Sequence, residues 1–236
     1  MKILKLFSNW LFPPKCILCH CDVSQDAIFC PSCFSRLTFI SHPICKICGK
    51  MIETSNYDED NMICNSCLDH PKFFDIARSL FQYDNESKKI IMKIKKEADS
   101  NTSKICSQML IARNINILKN ADFIIPVPSH WTRILKRGYN PSNIIALEIS
   151  KILNIPCIYD LKRIKKTDYQ KNKTIQERFD TLIDAFSCKK NLTRKSIILV
   201  DDVFTTGATL NECSKILKES GAINIICITI ATTPSI

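Results

Sequence analysis

The stretch Ile197-Ile-Leu-Val-Asp-Asp-Val-Phe-Thr-Thr-Gly-Ala-Thr209 decides how this chain folds. Its first four residues are apolar, the pattern of a strand buried in a parallel sheet. Two adjacent aspartates, Asp201 and Asp202, follow at its carboxyl end. Thr205, Thr206, Gly207, Ala208 and Thr209 then form a loop, and a helix runs on to Gly221. This order gathers free backbone N–H groups, hydroxyls and a helix N-terminus around one point, which makes a cradle for a phosphate. Ligands of open α/β sheets sit at the carboxyl ends of strands, so the position fits. The two carboxylates suit the hydroxyls of a sugar carrying that phosphate. Side by side they repel each other unless a cation or polyol is near, and a plain strand–turn–helix has no need of them.

Bulk properties place the whole chain among globular proteins of one or two domains: 236 residues, 45% apolar and 24% charged. No apolar run approaches the ~20 residues that a bilayer span requires. The lead-in from Met1 to Pro14 contains Lys2, Leu4, Lys5, Leu6, Phe7, Trp10 and Phe12. It lacks the uninterrupted apolar core and small-residue cleavage site of a signal peptide, and reads as an amphipathic segment packing onto the next domain. A cytoplasmic protein is expected. Residues 1–75 carry 7 Lys/Arg against 8 Asp/Glu, and residues 76–236 carry 26 against 15. The basic surplus of the second part suits a phosphate-rich ligand or a nucleic acid, although lysine-favouring codon usage explains it as well. Only four glycines occur, so each is expected where backbone geometry demands it.

Eight of the fourteen cysteines fall in Cys-x-x-Cys pairs: Cys16/Cys19, Cys30/Cys33, Cys45/Cys48 and Cys64/Cys67. Two thiolates so spaced fit one tetrahedral zinc on a tight knuckle, and two pairs close a structural site. Eight ligands imply two zinc ions. Sequential pairing is the simplest arrangement; a crossed one, 16/19 with 45/48, has equally permissible spacing. With eight cysteines closing two sites, Cys21, His20 and His70 read as non-ligands. A thioredoxin-like redox role needs one such pair at a helix N-terminus after a strand, and four pairs argue against it. Iron–sulfur ligation is the other rival. The segments hold too little apolar sequence for a core of their own, so metal should supply much of their folding energy. Cys106, Cys157, Cys188, Cys213 and Cys227 stand in apolar contexts as small core residues.

Between the two regions, Tyr83 to Lys96 reads as an amphipathic helix with Ile90, Ile91 and Ile94 on one side, and residues 103–118 as a second helix. Asp122-Phe-Ile-Ile-Pro-Val-Pro128 reads as a buried strand entering a rigid turn. Arg133, Lys136 and Arg137 follow in a basic loop before Gly138-Tyr-Asn140. Residues 141–153 are helical, and Ile155–Ile158, Ile197–Val200 and Ile223–Ile230 are strands. Lys162 to Gln170 is a dense basic segment, either a lid over a polyanion or a solvated loop. Strands alternating with helices predict a parallel-sheet α/β domain over residues 76–236, preceded by a zinc-ribbon region over residues 1–75.

The 197–209 stretch resembles the phosphoribosyl-pyrophosphate (PRPP) signature of type I phosphoribosyltransferases. That resemblance implies that Asp201 and Asp202 hold the ribose hydroxyls and that Thr205 to Thr209 wrap the 5′-phosphate. The order of segments is similar to the ComF/GntX group, which joins a double zinc ribbon to a phosphoribosyltransferase-like domain. The matching pieces are Leu11-Phe-Pro-Pro14, the four cysteine pairs, Ile94-Lys95, Pro126-Val-Pro128, Arg137-Gly-Tyr-Asn140, the Arg163/Lys165/Thr167/Gln170 pattern, Arg178 and Ala185-Phe186. Pro141 departs from the group's Gln, Thr181 from its Asn and Asp184 from its Gly, and these departures bear on the acceptor side more than on the PRPP side. The resemblance implies a role in natural transformation, handling single-stranded DNA beside a competence helicase. The alternative is an enzyme that displaces pyrophosphate from PRPP with Mg²⁺, with Arg137, Arg163 and Lys165 as the candidate catalytic cations. No segment identifies an acceptor base.

Overall fold

A computed structural model describes residues 14–24, 27–52, 62–165 and 181–234. Four parallel strands form the main sheet: β1 (Ile76–Gln82), β2 (Phe123–Pro126), β5 (Ser196–Phe204) and β6 (Asn224–Thr232), in the order β1-β6-β5-β2. Asp201 pairs with Thr229 and Ile198 with Ile226, which places β5 in the interior. A strand alternates its side chains between faces, and the apolar run of β5 accordingly feeds two cores. Ile198 and Val200 join Ile226 and Ile228 on one face, whereas Ile197 and Leu199 join Ile225 and Cys227 on the other.

Helices α3 (Asn85–Glu97), α4 (Ser100–Leu118) and α6 (Pro141–Leu153) cover the first face with Ile90, Ile91, Ile94, Leu110, Ile145 and Ile149. Asp84 starts α3 by accepting from Glu86 N and Ser87 N, which moves its start past the expected Tyr83. The second face packs on α7 (Ala208–Glu219), through Leu210, Cys213 and Leu217, and on an antiparallel hairpin of β3 (Leu161–Arg163) and β4 (Phe186–Cys188).

Two expectations need correction. Arg133, Lys136 and Arg137 lie on a short helix, α5 (Trp131–Arg137), instead of a loop. His130 Nδ1 starts it by accepting from Thr132 N at 3.3 Å, and Gly138, at φ +82°, ends it. Ile155–Ile158 makes only one bridge, Cys157 to Ile124, because β2 is short and the chain leaves its edge at once. Strand β1 had no reading at all: Arg78 and Ser79 interrupt its apolar pattern, and Ser79 is buried because its hydroxyl meets that of Thr229 at 2.6 Å.

The cysteine region lies along the outer edge of β1. Two short helices, α1 (Pro31–Phe34) and α2 (Asn65–Asp69), begin at cysteine knuckles. Ile40 N donates to Leu80 O, Gln82 N to Thr38 O and Ala77 N to Ile47 O. Gly49, at φ +68°, approaches so closely that a Cβ there would meet Ala77 O at 2.3 Å. The expected lid residues 166–170, and with them Thr167, Gln170 and Arg178, lie outside the described residues.

Candidate functional site

Strand β5 carries Asp201 and Asp202 to the carboxyl edge of the sheet. Asp201 Oδ1 accepts from Ser142 Oγ at 2.9 Å and from Asp202 N at 2.9 Å. Burial, then the neighbouring Asp202 charge, pushes the Asp201 carboxyl up to about 7. Asp202 Oδ1 meets Lys95 Nζ at 2.9 Å. The cation that the acid pair calls for therefore comes from α3.

The Arg137-Gly-Tyr-Asn140 segment explains how Lys95 and Ser142 reach the pair. Tyr139 Oη accepts from Ala98 N at 2.8 Å and donates to Ile94 O at 3.2 Å, which clamps the end of α3 that bears Lys95. Asn140 caps α6 by accepting from Ser142 N, and its Nδ2 donates to the buried Val127 O at 2.8 Å. Pro141 then takes the first helical turn, where its missing N–H costs nothing, and Ser142 faces Asp201. In the sequence Lys95 is one of five lysines around an amphipathic helix and part of the family pattern, and neither ties it to the acid pair. Ser142 was missed, because nothing local links it to a residue 59 positions away.

Beyond the acids, Gly207 turns the chain into α7 at φ +78°. A Cβ there would meet the Phe204 ring at 2.7 Å, so glycine is required twice over. No side chain caps α7 from Gly207 itself; Thr206 Oγ1 accepts from Ala208 N at 3.4 Å. The first turn of α7, with Thr205, Thr206 and Thr209 in the same stretch, thus places a helix N-terminus, an end that favours negative charge, beside two carboxylates. Thr205 O is held from behind by Lys50 Nζ at 3.1 Å, a contact that no sequence signal announced.

The three candidate cations are not equivalent. Arg163, on β3, lies over the Phe186 ring at 5.4 Å; burial lowers its pKa, Arg133 adds repulsion and Asp201 opposes the shift. Lys165 donates to Ile183 O at 3.3 Å and stands 3.5 Å from Asp184 Oδ2, within its own hairpin. Asp184 adopts φ +55°, the conformation that suits the glycine found there in the resembling group. Arg137 is exposed in the last turn of α5.

The cysteines gather as two sets, Cys16/Cys19/Cys30/Cys33 and Cys45/Cys48/Cys64/Cys67, with the Sγ atoms of each set within 4.8 Å of one another. A tetrahedral zinc with Zn–S of about 2.3 Å needs sulfurs about 3.8 Å apart. Cys19–Cys30 and Cys48–Cys64, both at 3.6 Å, meet that need. Backbone N–H groups of Cys33, Cys48 and Cys64 point at knuckle sulfurs, as thiolates require. Two structural zinc sites, paired sequentially, fit this donor set. Cys21, read as a non-ligand, touches Cys19 Sγ at 3.3 Å.

Fold and site together define a parallel-sheet phosphoribosyltransferase-type domain joined to a double zinc ribbon. Residues 7–68 match the double zinc ribbon domain, and residues 134–235 the phosphoribosyl transferase domain. The chain is 29% identical to competence protein F of Haemophilus influenzae, over 88% of this chain and 92% of that one. It is 26% identical to competence protein ComFC of Bacillus subtilis (87% and 89%) and 26% identical to DNA utilization protein YhgH of Escherichia coli K12 (89% and 93%). A solved purine phosphoribosyltransferase from Pyrococcus horikoshii overlaps 59% of this chain and 85% of its own, at 19% identity and a TM-score of 0.36. The chain thus joins a double zinc ribbon domain to a phosphoribosyl transferase domain and is similar over most of its length to these competence and DNA utilization proteins. Among the described residues no helix is long and apolar enough to cross a membrane.

Proposed function

We propose that this protein binds PRPP, or a related phosphoribosyl ligand, at the carboxyl end of β5 and uses that site while handling single-stranded DNA during DNA uptake. The observation that carries the proposal is the meeting of Asp201 and Asp202 with the glycine-forced N-terminus of α7 at one strand end. In this assignment the 205–209 backbone and hydroxyls take the 5′-phosphate and the acid pair takes the ribose 2′- and 3′-hydroxyls. Arg163 is the half-buried cation assigned to the diphosphate, and Arg137 and Lys165 are the exposed ones. The acid pair offers the hard oxygen donors that suit Mg²⁺, which, bound with PRPP, would neutralise diphosphate charge.

The DNA part is supported by the relatives named for competence and DNA utilization, and by the basic surplus of residues 76–236. A helicase of the uptake machinery is the protein partner assigned with it. A cytoplasmic setting, where thiols stay reduced, suits eight metal-holding cysteines.

Calorimetry with PRPP and Mg²⁺ tests the ligand, and pyrophosphate release against a panel of bases, with and without single-stranded DNA, tests the use. PRPP binding without base-dependent release, together with DNA binding that weakens steeply with salt, supports the proposal. Release that depends on one base would make the protein a phosphoribosyltransferase and name its acceptor. Absence of PRPP binding would overturn the site.

A further inference from the structure

The zinc ribbon reaches into the phosphate loop through one side chain. Lys50 follows Gly49 at the Cys45/Cys48 knuckle, whose turn is closed by Gly49 N donating to Cys45 O at 2.9 Å and Cys45 N donating to Lys50 O at 2.8 Å. The knuckle therefore fixes the backbone from which Lys50 departs. Its ammonium donates to Thr205 O at 3.1 Å, Thr233 Oγ1 at 3.3 Å and Pro234 O at 3.2 Å. Three acceptors use all three of its N–H donors. The Phe204 ring, which also forces glycine at 207, lies 5.6 Å from the same nitrogen. Thr233 reinforces the grip: its Oγ1 donates to Thr205 O at 3.1 Å and its N to Phe204 O at 3.0 Å.

The consequence follows from peptide geometry. In a planar trans peptide the C=O and the following N–H point in opposite directions. Holding Thr205 O towards Lys50 turns the Thr206 N–H the other way, away from the ribbon. A loop of backbone donors binds an anion only while those donors converge. Lys50 also keeps a positive charge behind the loop in a partly desolvated place, where it acts more strongly than in water.

We propose that Lys50 is a positioning residue for the phosphate-binding loop: it orients the Thr205–Thr206 peptide from the ribbon side and so sets the affinity of the loop for a sugar phosphate. The proposal rests on the PRPP site assigned above. Its experiment uses the full chain with its metal. Because the chain has four glycines, ¹⁵N-glycine labelling gives one amide signal each for Gly49, Gly138, Gly207 and Gly221. Gly207 reports the loop, and Gly138 and Gly221 report the rest of the fold. PRPP with Mg²⁺ is titrated into the wild type, Lys50→Met, Lys50→Arg and Thr233→Val.

In Lys50→Met the Gly207 signal is expected to move before any ligand is added, with Gly138 and Gly221 in place, and PRPP to bind about tenfold more weakly. Lys50→Arg, which keeps charge and donors, restores part of the affinity. Thr233→Val shifts both readouts in the same direction by less, and carries the test if Lys50→Met does not fold. Wild-type affinity and an unmoved Gly207 in the variants overturn the role of Lys50 and leave the site standing. A wild-type Gly207 indifferent to PRPP overturns the site, and this proposal with it.

Discussion

The carboxyl of Asp201 is pushed up to about 7 because the fold draws it away from water at the strand end and sets the Asp202 charge beside it. An unfolded aspartate loses its proton near 3.8. Between those two values the folded chain holds a proton that the unfolded chain has released, so stability falls as pH rises through that window. Asp201→Asn keeps an oxygen to accept from Ser142 Oγ and Asp202 N but carries no charge. In the ligand-free protein we expect it to add about 2 kcal/mol of stability at alkaline pH and nothing at acid pH, measured by urea denaturation across the range. An equal gain at both ends would remove ionisation as the cause. The same substitution should abolish PRPP binding. Wild-type affinity for PRPP should rise with pH through about 7, because only the carboxylate accepts from two sugar hydroxyls. The site thus holds a charge that the empty fold would be more stable without.

At the scale of elements, the β5–loop–α7 unit was legible because each of its constraints is local. An apolar run, an acid pair, a glycine that alone tolerates φ +78° and a helix follow one another in the chain. Gly207→Ala tests that chain directly. The new Cβ meets the Phe204 ring and an unfavourable φ, so we expect a loss of about 1–3 kcal/mol in urea denaturation and of most PRPP affinity by calorimetry. A variant with native stability and affinity would mean that the loop does not need the left-handed turn. The parts that sequence left dark depend on distant partners. Strand β1 is polar where Ser79 finds Thr229, 150 positions on. The basic run at Arg133–Arg137 is a helix because His130 and Gly138 cap it, a short-range signal that charge obscured. Lys95, Ser142 and Lys50 converge on the site from three separate elements, and only the fold brings them together.

At the scale of the molecule, the ribbon covers the outer edge of β1. An open edge strand presents unpaired N–H and C=O groups and invites pairing with another chain. Here Ile40, Thr38 and Ile47 occupy them, and the Gly49 turn lies against Ala77. These segments also share the two cores, through Ile17, Phe29 and Leu37 on one face and Cys45, Cys48 and Cys67 on the other. The covering depends on the knuckles, which join in pairs to set four sulfurs around one point in each site. Metal analysis of protein purified without chelator should give about two zinc per chain. Removing that metal should release the ribbon while most of the α/β core persists, because β5 and β6 are interior strands whose mutual pairing involves no ribbon residue. Hydrogen exchange separates the two. The Ala77 and Gln82 amides, which donate to Ile47 O and Thr38 O, should lose protection on chelation. The amides of Ile198 and Val200 should keep theirs. Chelated protein should also self-associate through the bared edge, with light scattering rising with concentration. Protection retained at Ala77 and Gln82 after metal loss would show that the ribbon folds onto the sheet without its metal, and the edge would then be guarded by packing alone.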